Sequence, residues 1–283
     1  NAIGQMLSDV AGNEGTQAGV AVSTATLKSD TKKYTPRYTP ITWTGNVTAY
    51  NLSASTAAEL SVAWEVETLT YTDPTTGAKT YASKMPAAAD RNIYVGNGAS
   101  SGVRAVPFTY SDMNPSLTGM MTGTVSADLI NYLRGDTANE DTATTTTALF
   151  RHRETRLGDI VNSTPVFVKD TVDLKYDLLP STTAGQTSYR NFVAGTGTTP
   201  TGGKKQRSEG LLFVGANDGM LHAIRDGVKN TVGDMVNGGV EAFAYVPNAL
   251  LPSINKLSDK GYVHQYYVDG PLKFLHNQWV FAD

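Results

Sequence analysis

Apolar residues follow a helical period at the start of the chain and a period of two after Pro40. Between residues 3 and 10 they recur every three or four positions, which predicts a short helix. Residues 13–37 are polar and rich in Gly, Thr and Lys, and they predict an irregular linker with at most one strand. We therefore divide the chain into a lead-in at residues 1–37 and a main domain at residues 38–283.

The first strand of the main domain with a clear alternation is predicted around Trp64. Val62, Trp64 and Val66 alternate with polar or small residues, so their side chains are predicted to pack inward. Glu65 and Glu67 then point to the opposite face. We interpret them as a solvated strand face rather than as a pair of carboxylates for acid/base chemistry.

Turn and cap residues predict two further local structures. Asp73, Pro74 and Gly77 lie between apolar segments and predict a hairpin with a longer loop. Ser126 has the side chain of a helix N-cap and Gly135 that of a C-terminal stop, which predicts a short helix between them. The polar tracts at residues 137–147 and 196–208 are predicted to be exposed loops.

An imperfect internal repeat is the most informative pattern of the main domain. Residues 91–106 and 211–224 each contain an apolar strand, a turn with Gly and Asn, and a second apolar strand. Such units predict an all-β fold, built either from the four-stranded blades of a propeller or as a sandwich. Further strands are predicted at residues 240–246, 262–268, 272–275 and 278–281.

Composition agrees with many short strands and excludes several functions. Of the 283 residues 40% are hydrophobic and 17% charged, and 27 are Gly. A net charge of -3 argues against nucleic acid as a partner, the absence of Cys excludes thiol chemistry, and no apolar run is long enough to span a membrane. We interpret the basic clusters as solvated loop charges; they contain Arg151, Arg153 and Arg156, and Lys204, Lys205 and Arg207.

Residues with catalytic or metal-ligating side chains do not match the spacing of a known catalytic or metal-binding motif. Asp159 lies in a segment whose Asp, Asn and Ser side chains are typical of hydrogen bonds to local backbone at the start of a strand. Asp269 precedes Gly and Pro and indicates a turn. The scattered histidines do not have the spacing of a zinc motif and are predicted to be structural; they are His152, His222, His264 and His276.

Six segments, taken in order, resemble the PilC/PilY family of type IV pilus tip proteins. The resemblance covers roughly residue 38 to the end of the chain. Each segment alone is a weak signal, but the ordered set is specific. The segments are residues 129–136, 150–153, 157–166, 213–223, 244–247 and 266–270.

This resemblance implies a partial, modified β-propeller, similar in shape to quinoprotein dehydrogenases, with one or two short helices. Because a family propeller is longer than this chain, we expect only its first blades. The resemblance further implies an exported, non-enzymatic adhesin and pilus biogenesis factor on the bacterial surface. Its expected partners are pilins of the type IV pilus and a host-cell receptor.

The family resemblance also implies calcium, but no cofactor site is recognised in this chain. The nearest candidate loop contains Asp136, Asn139 and Asp141, whose spacing does not match a calcium loop and which lacks the loop Gly and the final bidentate acid. We expect the family's Asp-rich loop to lie beyond Asp283.

One tripeptide is a candidate receptor-binding site. Arg134, Gly135 and Asp136 spell the integrin-recognition sequence Arg-Gly-Asp. The same residues end the predicted helix, where each has an ordinary capping role.

Two other functions remain open. A quinoprotein-like oxidoreductase would share the propeller shape. A secreted carbohydrate-binding module would use exposed tryptophans as stacking platforms; the candidates are Trp43, Trp64 and Trp279, of which Trp64 is predicted to be buried.

Overall fold

The computed structural model describes residues 19–23, 31–99, 102–142, 146–169, 178–194, 209–229, 231–232 and 235–272. Several predicted elements therefore lie outside the described residues: the helix at residues 3–10, the tract at 196–208, the strand at 278–281 and nearly all of the strand at 272–275.

Short strands form most of the regular structure, as the alternating pattern and the many turn residues predict. They are β1 (Ala21–Val22), β2 (Lys32–Thr39), β3 (Thr44–Leu52), β4 (Glu59–Glu65), β5 (Glu67–Thr72), β6 (Lys79–Ser83), β7 (Ile93–Gly96), β8 (Ala105–Pro107), β9 (Val166–Val168), β10 (Leu211–Gly215), β11 (Leu221–Arg225), β12 (Val228–Lys229), β13 (Met235–Val236) and β14 (Glu241–Val246). The α-helices are α1 (Pro115–Thr118), α2 (Ala127–Leu133), α3 (Gln186–Ala194) and α4 (Leu251–Ile254), and single 3-10 turns cover Ala88–Asp90, Asn248–Leu250 and Asn255–Ser258.

Strands β1 to β4 form an antiparallel sheet in sequence order, the arrangement of a propeller blade. The prediction of at most one strand before residue 38 was wrong, because β1 and most of β2 lie there. The polar composition concealed β2. Its Tyr34 is fully buried, and its Lys32 is buried in an ion pair with Asp226 at 2.8 Å.

The two repeat units form the predicted hairpins, β7 with β8 and β10 with β11. Both belong to one six-stranded sheet with the order β8-β7-β14-β11-β10-β9, rather than to separate four-stranded blades. Strand β14 joins the hairpins, since it is antiparallel to β11 and parallel to β7. The strand predicted at residues 240–246 is thus present as β14, in the middle of the sheet.

One face of this sheet carries two hydrophobic clusters. Val214, His222 and Ala244 are register partners across three strands and therefore share this face. On the β7 and β14 half, the core contains residues of the short helices, including Ile130 and Ile254. On the β10 half, residues of the four-stranded sheet complete the second cluster. His222 lies in the row between Val214 and Ala244, so a polar residue separates the two clusters.

The prediction that Glu65 and Glu67 form a water-exposed strand face was wrong for Glu67. Glu67 is only 1% exposed, whereas Val62, predicted to face inward, is 51% exposed. The strict alternation fails because β4 ends at Glu65 and a bend at Val66 turns the chain into a different sheet. A register shift opposite β4, between Ala49 and Tyr50, also interrupts it.

The hairpin and the helix predicted from local chemistry are both present. Asp73 accepts hydrogen bonds from the amides of Thr75 and Thr76 in the β5–β6 loop, where Gly77 has a φ of 73°. In α2, the Ser126 hydroxyl accepts a hydrogen bond from the Leu129 amide at 3.1 Å, and Gly135 has a φ of 104°. Helix α2 is one of the one or two short helices that were predicted. Helices α1, α3 and α4 were not predicted.

Residues 262–268 do not form the predicted strand. The segment is irregular, and side chains hold it in place instead of a strand ladder. Asn217 accepts a hydrogen bond from the amide of Tyr267 at 2.9 Å. Asp269 likewise accepts one from the amide of Asn162 at 2.9 Å.

Candidate functional site

A network of buried charged side chains lies in the six-stranded sheet, between the two hydrophobic clusters. Glu241 accepts hydrogen bonds from the Nε and Nη2 atoms of Arg91 at 2.7 and 2.8 Å. It also lies 2.7 Å from Nδ1 of His222, whose Nε2 lies 3.1 Å from Asp218. The sequence did not predict this network, because its members come from the segment before β7, the β10–β11 turn, β11 and β14.

The charges of the network fix its protonation at neutral pH. Burial alone would lower the pKa of His222, but Asp218 and Glu241 outweigh it and raise the pKa to about 9. Burial alone would raise the pKa of Glu241, but hydrogen bonds from Arg91 and His222 lower it to about 2. His222 is therefore an imidazolium ion held between two carboxylates. It has no free lone pair for accepting a proton, so the arrangement suits a scaffold better than a general base.

Asp159 lies in a second polar cluster, which joins four separate segments. We call the charge network and this cluster the two polar junctions. Its carboxylate accepts hydrogen bonds from the Asn217 side chain at 2.7 Å and contacts Nε2 of His264 at 2.8 Å. The Asn217 amide donates to the backbone carbonyl of Asp159, and the Trp43 ring stacks on His264 with a centroid distance of 3.6 Å. Burial raises the pKa of Asp159 despite these contacts. The structural role predicted for Asp159 and His264 agrees with this geometry.

Glycines allow the segments at the two junctions to approach closely. A Cβ atom on Gly45 would lie 1.9 Å from the Gly158 carbonyl oxygen, and one on Gly158 would lie 2.4 Å from the Asp218 amide nitrogen. Thr44 also forms a β-bridge to Gly158. Gly158 is therefore required where β3 meets the β10–β11 turn.

The prediction that the arginines at residues 151–156 are solvated loop charges was wrong. Arg153 donates to Glu140 at 2.8 Å and lies over the Tyr132 ring at 3.7 Å. Glu140 belongs to the tract predicted to be exposed, yet it is 5% exposed, because it pairs with Arg153. Arg156 donates to the Gly135 carbonyl at 3.2 Å, and Arg151 to the Leu257 carbonyl at 2.7 Å.

The same segment forms one wall of a cavity of about 300 Å³, which we call the Glu67 cavity. Its lining is polar, with both acidic and basic side chains. Burial raises the pKa of Glu67 to about 7, although the hydrogen bond from Ser83 opposes the shift. The lining residues are Glu67, Tyr81, Ser83, Thr137, Glu140, Arg153, Glu154, Thr155 and Arg156.

In the Arg-Gly-Asp tripeptide the arginine is not on the surface. Arg134 is 5% exposed, and its guanidinium donates to the carbonyls of Phe108, Ala88 and Arg91. The partly exposed Asp136 accepts a hydrogen bond from the amide two residues on. Receptor binding by Arg134, Gly135 and Asp136 stays a prediction, and it would require Arg134 to leave three carbonyl partners.

Two of the candidate ligands in the Asp136–Asp141 loop have other partners. Asp141 contacts the Lys260 ammonium group at 3.0 Å, and Asp136 caps the local backbone. Within the described part of the chain, no group of three or more His, Asp or Glu side chains is arranged to hold a metal. None of the described helices is long and apolar enough to cross a membrane.

The tryptophans do not provide an exposed stacking surface in the described residues. Trp64 is 2% exposed, as predicted, and its Nε1 atom lies 3.4 Å from Asp226. Trp43 is partly buried against His264. Trp279 lies outside the described residues.

The second half of the chain matches a known domain type. Residues 157–279 match the family model described as the PilY1 beta-propeller domain, which confirms the all-β propeller prediction. A type IV pilus biogenesis factor PilY1 homolog of Xylella fastidiosa is 30% identical over 263 residues, covering 93% of this chain and 18% of that protein. PilY1 of Pseudomonas aeruginosa strain PAK is 26% identical over 285 residues, covering 94% of this chain and 21% of that protein.

Residues 157–279 therefore belong to the PilY1 beta-propeller family, and nearly the whole chain aligns with PilY1 proteins. The chain spans about a fifth of the length of these curated relatives. No solved structure matches it. The segments that carried the family resemblance include those that build both polar junctions, at residues 157–166 and 213–223.

Proposed function

We propose that this chain is a scaffold module of a non-enzymatic, exported type IV pilus biogenesis factor that acts at the pilus tip as an adhesin. The observation that carries the proposal is that proteins named type IV pilus biogenesis factors align with almost the whole chain. The buried charge network supports the scaffold role, because the positive charges of Arg91 and His222 are balanced inside the protein by the carboxylates of Glu241 and Asp218.

The proposed partners are pilins and a host-cell receptor. Adhesion and pilus assembly are two activities, and one experiment must separate them. The full-length protein is expressed without residues 38–272, and export is checked by immunoblotting. Pilin sheared from the cell surface measures assembly. Adherence to epithelial cells is measured in a strain that cannot retract its pili, so that pili are present in both samples.

The expected result is fewer surface pili in the retraction-competent strain and lower adherence per pilus in the other, with the shortened protein still exported. Unchanged piliation and adherence would contradict the proposal. A loss of pili with unchanged adherence per pilus would restrict the function to assembly.

A further inference from the structure

The Glu67 cavity contains two carboxyl groups with an unused hydrogen-bonding atom. Among the described residues, neither Oε2 of Glu67 nor Oε2 of Glu154 has a hydrogen-bond partner; both atoms are buried in the wall, so each carboxyl group must turn to meet a ligand in the cavity. Oε1 of Glu67, in contrast, accepts a hydrogen bond from Ser83 at 2.9 Å. An unpaired buried carboxyl oxygen is costly, and a donor supplied by a ligand would remove this cost.

The carboxyl groups can turn toward a ligand without rebuilding the wall. The terminal torsion of a glutamate is broad, so rotation of the Glu154 carboxyl group is inexpensive. Burial raises the pKa of Glu154 as well as that of Glu67.

Charge argues against an ionic ligand in this cavity. An anion would meet the carboxyl groups of Glu67, Glu140 and Glu154, and a cation would meet the guanidinium groups of Arg153 and Arg156. Arg153 and Glu140 already neutralise each other through the contact at 2.8 Å. A neutral ligand avoids both repulsions.

The remaining wall suits a ligand that both donates and accepts hydrogen bonds. Ser83, Thr137 and Thr155 contribute hydroxyl groups, and Tyr81 contributes an aromatic ring with a hydroxyl group. The volume of about 300 Å³ is at the small end of the range for ligand pockets. A sugar ring has hydroxyl groups of this dual character around a compact body.

We propose that the Glu67 cavity binds one ring of a neutral sugar, with the carboxyl groups of Glu67 and Glu154 accepting hydrogen bonds from its hydroxyls. Neither Trp43 nor Trp64 lines this cavity. The proposal goes beyond the pilus function, because binding is measured on purified protein and does not depend on pili or cells.

The test is saturation-transfer difference NMR on the purified full-length protein. The probes are D-galactose, D-mannose, L-fucose and N-acetyl-D-glucosamine, each in millimolar excess. At least one is expected to receive saturation and to give a binding curve. Glu154→Gln is expected to weaken that binding by about tenfold, because it replaces a carboxylate acceptor with an amide.

Two further variants keep the test decisive. Thr137 is exposed at the rim of the cavity, so Thr137→Trp blocks the opening without disturbing the core and is also expected to weaken binding by about tenfold. Glu59→Gln, at an exposed glutamate outside the cavity, is the matched control and is expected to bind like the wild type. Thermal melting checks folding, and if Glu154→Gln is unfolded, Thr137→Trp decides.

Three results would overturn the proposal. The first is no saturation transfer to any of the four sugars. The second is transfer that is equal in the wild type and both cavity variants. The third is binding of calcium or phosphate that the cavity variants abolish, with no sugar bound.

Discussion

The Nε atom of Arg91 lies 2.7 Å from Oε2 of Glu241, and both side chains are 1% exposed. The two residues are 150 positions apart in the chain and precede β7 and begin β14, respectively. The ion pair therefore joins the two strands whose parallel pairing holds the halves of the six-stranded sheet together. Five testable consequences come from this and related contacts.

Replacing Arg91 with an uncharged side chain is expected to destabilise the fold strongly. Arg91→Met removes the positive charge and leaves Glu241 buried with only His222 as a charged partner. Breaking a buried pair on one side costs about 3–5 kcal/mol. The measurement is the free energy of unfolding in urea.

The exposed pair of Lys33 and Glu59 is the control for the Arg91 variant. Its side chains are 31% and 44% exposed, so Lys33→Met is expected to cost less than about 1 kcal/mol. Equal effects of the two variants would contradict the importance of burial.

His222 is expected to make stability fall in mildly alkaline solution. Its pKa in the folded protein, about 9, is above the ordinary value of 6.5. Its contribution is therefore fully present below pH 6.5 and is lost as the pH rises through 9. Unfolding free energies are compared across this range for the wild type and His222→Asn, which should lack this part of the decline.

His152 provides the matched histidine control. Its side chain is 61% exposed, so His152→Asn is expected to change the free energy of unfolding by no more than about 0.5 kcal/mol. An alkaline decline of unchanged size in His222→Asn would show that other groups cause it.

Glu67 is expected to affect the pH profile in the slightly acidic range. Because its pKa rises from 4.5 to about 7 on folding, the folded protein binds the proton more tightly than the unfolded chain. This contribution makes the protein less stable as the pH rises from 4.5 to 7. Glu67→Gln resembles the protonated side chain, and it should raise the free energy of unfolding above pH 7 relative to the wild type.

The exposed Glu59→Gln substitution again serves as the comparison for Glu67. At this exposed position the substitution should change the free energy of unfolding by no more than about 0.5 kcal/mol. A Glu67→Gln protein that is less stable than the wild type above pH 7 would mean that the charged carboxylate stabilises the fold.

Gly158→Ala tests the close approach between the polar junctions. Its new methyl group would lie 2.4 Å from the Asp218 amide nitrogen, so backbone must move, at a cost of about 1–3 kcal/mol. Gly261→Ala is the control, because a Cβ atom there has no neighbour within 4 Å. Thermal melting of the two variants should differ clearly, and coincident melting curves would contradict the contact.

The Arg-Gly-Asp tripeptide is tested by separating stability from adhesion. Arg134→Ala leaves three carbonyls without their donor and is expected to lower the free energy of unfolding by at least about 2 kcal/mol. Asp136→Ala removes one local hydrogen bond and should change neither melting nor epithelial-cell adherence. Lost adherence in a stably folded Asp136→Ala protein would instead support receptor binding by the tripeptide.

Local chemistry allowed the sequence to predict some elements well. The capping residues Ser126 and Gly135 act within a few positions of α2, and the Asp73 carboxylate acts within its own loop. The repeat hairpins were predictable for the same reason, since Gly and Asn in a turn indicate the pairing of adjacent strands.

Contacts between distant segments were not predictable from these signals. From the sequence pattern Glu67 is predicted to be an exposed strand residue. In the structure the bend at Val66 places it beside the segment at residues 153–156. The buried partner of Arg91 lies 150 residues away, and no periodicity indicates which glutamate it is. The polar composition of residues 32–39 likewise hid a strand whose buried Lys32 depends on Asp226 for its charge partner.

The parallel pairing of β7 with β14 also fixes when the sheet can form during synthesis. Strand β7 leaves the ribosome long before β14, so one of its edges lacks its native neighbour throughout translation of the intervening segment. Contacts of such high sequence separation slow folding and prolong the exposure of unpaired edges. A nascent chain can therefore complete its six-stranded sheet only after Val246 has left the ribosome.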